Sequence, residues 1–456
     1  MDYRIEHDSM GEVSVPSDKL WGAQTQRSFE NFKIGTERMP KEVIHSLGIL
    51  KLAAARANRS LLPQRMTEDK LKFIEQAALR VIDGSLEEHF PLVVWQTGSG
   101  TQSNMNLNEV ISNLGNQLAG RKLLHPNDDV NMSQSSNDTF PTAMHLTAVL
   151  ETEKSLIPSL DRLIGSFSRL EEENKGIVKS GRTHLEDATP IAFSQEISGW
   201  RSSLERCRQM ILVSLEPLRE LAIGATAVGT GLNAPKDFDR TVAGEISKIT
   251  GSSFYPAENK FHALSSKSEL VNAHGALKAL ACDLMKIAND IRWLSSGPRC
   301  GLGEITIPEN EPGSSIMPGK VNPTQCEAVT MVSVQVMGND CTVGIAASQG
   351  NFQLNVFMPV LIYNYLQSLR LLSDCMESFR KNCVEGIKPD RKKMSENLNR
   401  SLMLATALTP YIGYENAAAV VHKAHRENLS LKESCLELGY LSEEDFDRYF
   451  HPEKMI

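Results

Sequence analysis

The chain has no excess of positive charge, no paired cysteines and no long apolar run, and each absence narrows what it can do. Among 456 residues, 48 Lys and Arg stand against 56 Asp and Glu, for a formal net charge of −8. That balance argues against nucleic acid or an anionic membrane as a partner, since both want a broad basic face. Any anionic ligand must instead be held by cations placed locally. The eight cysteines (Cys207, Cys282, Cys300, Cys326, Cys341, Cys375, Cys383, Cys435) are scattered, without a C-x-x-C pair. They read as reduced small hydrophobes of a reducing compartment and offer no iron–sulfur motif. No run of about 18 apolar residues occurs, so no membrane span is expected. The opening residues, MDYRIEHDSMGEV, contain neither an apolar signal core nor an Arg/Ser-rich leader, and a soluble cytoplasmic protein is expected.

Several motifs are missing as well. There is no strand–helix–strand rhythm and no G-x-G-x-x-G after a strand, so a dinucleotide-binding fold is not supported. No acid–histidine–serine spacing suggests a hydrolase triad. His422 and His425 stand three apart on an expected helix, but no third ligand completes a zinc site. Internal repeats and low-complexity segments are absent.

What the chain does have is helical periodicity. Hydrophobic residues make up 41% and charged residues 23%, a balance that fills a sizeable core. In residues 265–297, Leu270, Leu277, Leu284 and Ile291 recur every seven positions, interleaved with Ala273, Leu280, Ile287 and Leu294. This is a two-position seam over about four heptads. A second face carries Ala276, Ala279, Ala281 and Ala288. A helix apolar on more than one face must be covered on more than one side. Residues 136–174, 190–222 and 324–349 are patterned alike, which predicts a long-helix bundle shared between subunits. Strand-like alternation is limited to EVSV at 12–15. Loops near 125–137 and 386–397 suggest three domains: a mainly helical N-terminal domain (1–135), a central bundle (136–391) and a small helical C-terminal domain (392–456). The Ser442–Asp445 spacing near the end reads as a capping box.

Four segments interrupt the helical text with small, uncharged polar residues: TGSGTQSNMN (97–106), HPNDDVNMSQSSNDTFP (125–141), SGRTHLEDATP (180–190) and GSSIMPGKVNPTQCEA (313–328). Any one of them alone reads as a solvated loop. Four, each leading toward a long helix, suggest a binding site. Neutral donors beside one cation suit a small carboxylate. In the last segment, Asn322 reads as an N-cap with Pro323 as the first helical residue and Gln325 three after the cap. A helix N-terminus beside Lys320 is a carboxylate site, and Gly313 is a candidate lid hinge. His184 lies between Thr183 and the acids Glu186 and Asp187, which could orient its ring.

The stretch Gly313 to Asn322, G-S-S-I-M-P-G-K-V-N, resembles the G-S-x-x-M-x-x-K-x-N signature of the fumarase/aspartase superfamily at every fixed position. The resemblance runs from RIEHDSMGEVSVPSDKLWGAQTQRS to GYENAAAVVHKAH, essentially the whole chain. Gly319, TQCEA, SGRTHLEDATP and HPNDDVN look like the class II fumarase branch rather than the aspartases. The resemblance implies a mainly α, three-domain fold whose central helices assemble a homotetramer, with each active site built from three subunits. It implies reversible hydration of fumarate to L-malate, with no metal or organic cofactor. It also implies roles: Ser314 as base, Lys320 lowering its pKa, and His184 with Glu327 handling the hydroxyl through a water. Ser99, Gly100, Thr101, Ser135, Ser136, Asn137, Thr183, Ser315, Lys320, Val321 and Asn322 would contact the substrate. Lys122, His125, Pro126, Asn127 and Asp128 match an accessory carboxylate site, where some family members carry arginine at the position of Lys122. The rival readings are an ammonia-lyase releasing fumarate from aspartate, another lyase of the superfamily, or a non-catalytic structural homologue.

Overall fold

The computed structural model describes residues 2–456. The chain is mainly helical, and among the described residues its strands form only two-stranded sheets. Its residues group into two compact units. One comprises 1–158, 207–281 and 334–373; the other comprises 159–206, 282–333 and 374–456.

In the first unit, an antiparallel hairpin pairs Tyr3–Asp8 with Gly11–Pro16, and the expected EVSV strand lies in its second arm. Helices Lys41–Leu61, Glu68–Ile82, Thr101–Ala119 and Ser136–Glu151 pack against one another. The N-terminus of a short helix, Ala23–Asn31, is held by Glu109: its carboxylate accepts the N–H groups of Gly22, Gln24 and Thr25. A carboxylate there offsets both the unpaired donors and the positive end of the dipole.

The predicted long helices form with small boundary shifts. The 136–174 pattern becomes Ser136–Glu151 and Ile157–Glu173, joined by a π-turn at Thr152–Leu156. The 190–222 pattern gives Phe193–Leu215, and 324–349 gives Thr324–Ala347. The seam helix is Ser268–Leu294, and all eight of its a/d residues are buried. Helices Lys41–Leu61, Glu68–Ile82 and Met358–Asn382 complete the long set; their periodicity had not marked them out.

In the second unit, the last segment has its own apolar cluster of Leu398, Leu404, Leu408, Val420, Leu431, Cys435 and Phe446. Two serine caps start its short helices. Ser430 with Glu433 forms a full capping box, while at Ser442 only half of the expected box forms, its Oγ accepting the Asp445 N–H at 3.1 Å. His422 and His425 lie exposed on the helix Tyr414–Glu427.

Candidate active site

Within the first unit, two of the polar loops meet. Ser99, Gly100 and Thr101 lead into the helix Thr101–Ala119, whose N-cap Gly100 has φ +74. Left-handed backbone favours glycine, and a Cβ at this position would overlap the ring of Phe140. The hydroxyls then form a chain: Ser99 Oγ lies 2.8 Å from Thr101 Oγ1, which lies 2.8 Å from Ser136 Oγ. Ser135 caps the helix Ser136–Glu151, its Oγ accepting the Asn137 N–H at 3.2 Å, while its own N–H donates to Asp138 at 2.9 Å. Pro141 lies inside this helix and has no N–H, so the Asn137 carbonyl loses its usual partner one turn on.

Beneath these donors is a buried polar layer that the sequence reading missed. Asn131 Oδ1 accepts from Lys51, Asn104 and Asn108 at 3.0, 3.1 and 3.2 Å, and Thr139 donates to Asn104. Lys51 and Asp138 are both 0% exposed. Burial pushes the Asp138 carboxyl up to about 6, against the pull of its backbone donors and Lys51. Burial likewise lowers Lys51 to about 7, against the attraction of Asp138. The sequence signal was present: an acid three residues after a serine cap, and a lysine inside an otherwise apolar helix.

The accessory residues of the same unit lie at the surface. His125 caps a π-turn at Pro126–Val130, accepting the Asp128 N–H at 3.2 Å. The His125 ring lies 3.3 Å from the Asp128 carboxylate. Lys122, His125, Asn127 and Asp128 are exposed, and Pro126 is half-buried.

In the second unit, His184 occupies the tip of a β-hairpin rather than an irregular loop. Strands Val178–Thr183 and Glu186–Ala192 pair antiparallel, with Thr183 opposite Glu186. His184 and Leu185 form the two-residue turn, at φ +57 and +64. Such turns normally hold Asn-Gly or Asp-Gly. Two bulky residues in left-handed conformation are strained, by roughly 1 kcal/mol or more each, and strain of this kind collects at functional sites. The hairpin is anchored by a buried ion cluster. Arg182 grips Glu304 with two bonds at 3.0 and 2.5 Å, and Lys179 lies 3.3 Å from it. Asn397 donates to it at 3.0 Å. Burial alone would raise the Glu304 carboxyl, but Arg182, Lys179 and Asn397 outweigh it and hold the carboxyl below its ordinary value.

The signature segment of this unit folds back on itself. The Gly313 N–H donates to the Lys320 carbonyl at 2.7 Å, and Asn322 Nδ2 donates to the Gly313 carbonyl at 2.6 Å. A Cβ on Gly313 would lie 2.6 Å from the Lys320 oxygen, so glycine permits the closure. Ser314 Oγ accepts two backbone N–H groups, from Ile316 at 3.2 Å and Met317 at 3.0 Å. Ser315, Lys320 and Val321 are exposed, and Asn322 and Glu327 are half-buried.

Two expectations change here. The helix starts at Thr324, not Pro323, and the Asn322 carboxamide donates to the Gly313 carbonyl. Gln325 accepts from Ser378 rather than serving a capping box. Gly313, the candidate hinge, is the bonded neck of this closed loop. His184 and Glu327 make no hydrogen bond or ion pair with each other among the described residues.

The comparisons give the class of the protein, a lyase. Residues 11–338 match the family model described as Lyase, and residues 404–456 match the one described as Fumarase C C-terminus. Proteins named fumarate hydratase class II from Helicobacter pylori and Campylobacter jejuni are 62% and 60% identical, over 100% of this chain and 99% of each relative. A crystal structure of recombinant class II fumarase from Schistosoma mansoni superposes with a TM-score of 0.97 at 42% identity, covering 100% of this chain and 99% of that one. The chain belongs to the class II fumarase family.

Proposed function

We propose that the chain is a hydro-lyase of the tricarboxylic acid cycle that interconverts fumarate and L-malate by anti addition and elimination of water. One observation carries the chemistry: Ser314 Oγ sits where two backbone N–H groups point at it. Donors aimed at an oxygen favour its anionic form. Ser314 is thus suited to act as an alkoxide-like base, with the ammonium of Lys320 from the same closed loop adding to the effect.

Elimination removes the malate proton next to a carboxylate. Ser314 takes that proton, and the electron pair spreads onto the carboxylate, which Lys320 and Asn322 grip. The pair then forms the double bond as hydroxide leaves the adjacent carbon, taking a proton relayed by water from His184. Glu327 of a neighbouring copy is the acid that pairs with His184, since the two make no bond within one chain among the described residues. Ser99, Gly100, Thr101, Ser135, Ser136, Asn137, Thr183, Ser315 and Val321 surround the remaining oxygens with neutral donors. Donors already fixed in place stabilise charge without reorganising.

We assign the working enzyme as a cytoplasmic homotetramer divided at 135/136 and 391/392, with sites completed by neighbouring copies. In support, helix Thr324–Ala347 leaves Met331, Val334 and Ile345 exposed on a single chain. Apolar side chains on that scale call for a covering surface. No helix among the described residues is long and apolar enough to cross a membrane. The accessory residues Lys122 to Asp128 form a second, weaker carboxylate station.

The test follows fumarate's ultraviolet absorbance with L-malate as sole substrate after chelator treatment, and then fumarate with ammonium. Fumarate should form from malate, and ammonium should yield no aspartate. Aspartate without malate would overturn the hydratase reading in favour of an ammonia-lyase.

A further inference from the structure

The acid that follows the Ser135–Asn137 donors has no part in the chemistry above, yet it is completely buried beside them. Asp138 Oδ1 accepts the Ser135 N–H at 2.9 Å. Its Oδ2 accepts the N–H groups of Gly224 and Thr226, at 3.1 and 2.8 Å. One carboxylate therefore ties the cap of the donor helix to a turn far along the chain. That turn is unusual. Gly224, Thr226, Gly229 and Gly231 all have positive φ, of +90, +58, +104 and +72. Positive φ is an outlier for a β-branched residue such as threonine. The Thr226 hydroxyl is buried without a hydrogen-bond partner. Strain of this kind persists only where the surroundings over-determine it, and Asp138 does so by taking two of the turn's N–H groups.

The turn in turn grips a proposed substrate donor. The Ala227 carbonyl accepts Asn137 Nδ2 at 2.8 Å. A carbonyl can only accept, so the amide nitrogen must face it. This fixes which way the Asn137 carboxamide points. Around the carboxylate, Lys51 from the Lys41–Leu61 helix and Lys260 from the Lys260–Ser265 helix supply positive charge, with Asp239 and Glu220 acting on Lys260. Three accepted N–H groups and these cations favour the ionised carboxylate, against the burial that pushes it up to about 6.

We propose that Asp138 is a positioning residue for substrate binding. It locks the Gly224–Gly231 turn to the donor loop, so that Ala227 holds the Asn137 carboxamide with its second N–H free for a substrate carboxylate. The proposal rests on the reading of Asn137 as a substrate donor in the fumarate reaction.

The test is Asp138→Asn in the full-length protein. This change keeps the volume but sets an amide NH2 against backbone donors. KM for fumarate should rise by about tenfold or more, the scale of one lost polar contact, while kcat stays within about threefold. Calorimetric affinity for succinate, a non-reacting dicarboxylate, should fall by the same factor. A merely structural role gives the opposite split: fewer active molecules, lower kcat and an unchanged KM. That result would overturn the proposal. Gly224→Ala reaches the same joint from the turn, where a Cβ would lie 2.6 Å from Asp239 Cβ. It too should raise KM, and a parental KM there counts against the proposal even if Asp138→Asn does not fold. The reaction reading fails separately. If the parent does not hydrate fumarate but binds succinate, Asp138→Asn must still weaken that binding, and equal affinity overturns the inference. A parent that does not bind succinate at all overturns both.

Discussion

The donor loops and the base loop are built on opposite plans. In the first, Ser99, Thr101 and Ser136 are linked hydroxyl to hydroxyl above a buried layer of Asn104, Asn131, Lys51 and Asp138. Nearly every polar group there already has a partner in the same chain. In the second, the Gly313–Asn322 loop is held by its neck and a few local turn bonds, and Ser315, Ile316, Met317 and Lys320 are exposed, Ile316 to 83%. His184 is likewise presented at a strained tip, exposed, and makes no hydrogen bond or ion pair among the described residues. The first plan fixes neutral donors before substrate arrives. The second leaves the reactive groups with few obligations of their own, free to meet substrate and neighbouring copies.

The sharpest break in that comparison is predicted at Ser314. Its hydroxyl makes only local turn bonds, so Ser314→Ala should fold and assemble normally. Loss of a general base typically costs about 10²–10⁴-fold in rate. We expect a fall of about 10³-fold in kcat/KM, some 4 kcal/mol in the barrier, with an unchanged circular dichroism spectrum. Turnover within tenfold of the parent would remove Ser314 from the role of base.

Next is the anchor under the His184 hairpin. Arg182→Met leaves Glu304 buried beside Lys179 but stripped of its bidentate partner. Breaking such a pair costs roughly 3 kcal/mol, readable as a lower urea midpoint. The cluster also predicts a pH dependence. The Glu304 carboxyl is held below its ordinary value of 4.5. Its contribution is therefore full above about pH 4.5 and fades as pH falls through the lower folded value. Glu304→Gln should flatten that acid limb, and a limb identical to the parent's would show that other carboxylates control it.

A smaller effect is expected on the donor side. Thr101→Val keeps the shape but cuts the hydroxyl chain between Ser99 and Ser136. Leaving those partners unsatisfied should raise KM by about tenfold, with little change in thermal midpoint. A parental KM would mean that the chain orders the loop without serving the substrate.

How much of this could be read in the sequence differs between the same two regions. The seam helix, the brief EVSV strand and the Ser442 cap were legible because each depends on local spacing, whereas the hairpin at 178–192 was read as a loop. The cap at Asn322 misled by one position, since the helix begins at Thr324, and local propensity does not fix a helix end to a single residue. Lys51 and Asp138 each left a local signal, but what they meet, like the pairing of Arg182 with Glu304, depends on segments distant in sequence. The segment IGATAVGTGLN carried a signal that could have been used, because three glycines among small residues predict positive φ. The roles of Ser314 and His184 came from resemblance; spacing alone led only to a carboxylate-binding loop.

The smallest effect should fall at the accessory residues, which test whether exposure or charge governs a carboxylate contact. Lys122, His125 and Asp128 are exposed, and the His125–Asp128 contact at 3.3 Å is between neighbours on one turn. Exposed ion pairs contribute about 0–1 kcal/mol and are screened by salt. Lys122→Ala should therefore change kcat/KM for fumarate by less than about twofold at 0.15 M salt. If the station gathers dianions by charge alone, a larger difference should emerge only near 0.01 M salt, where screening extends over about 30 Å. If it instead holds a carboxylate by shape, through His125 and Asn127, the Lys122 effect should be the same at both salt concentrations. A loss of more than tenfold that persists at high salt would show that Lys122 works in the catalytic site itself, and the contrast between prebuilt donors and open loops would then have to include it.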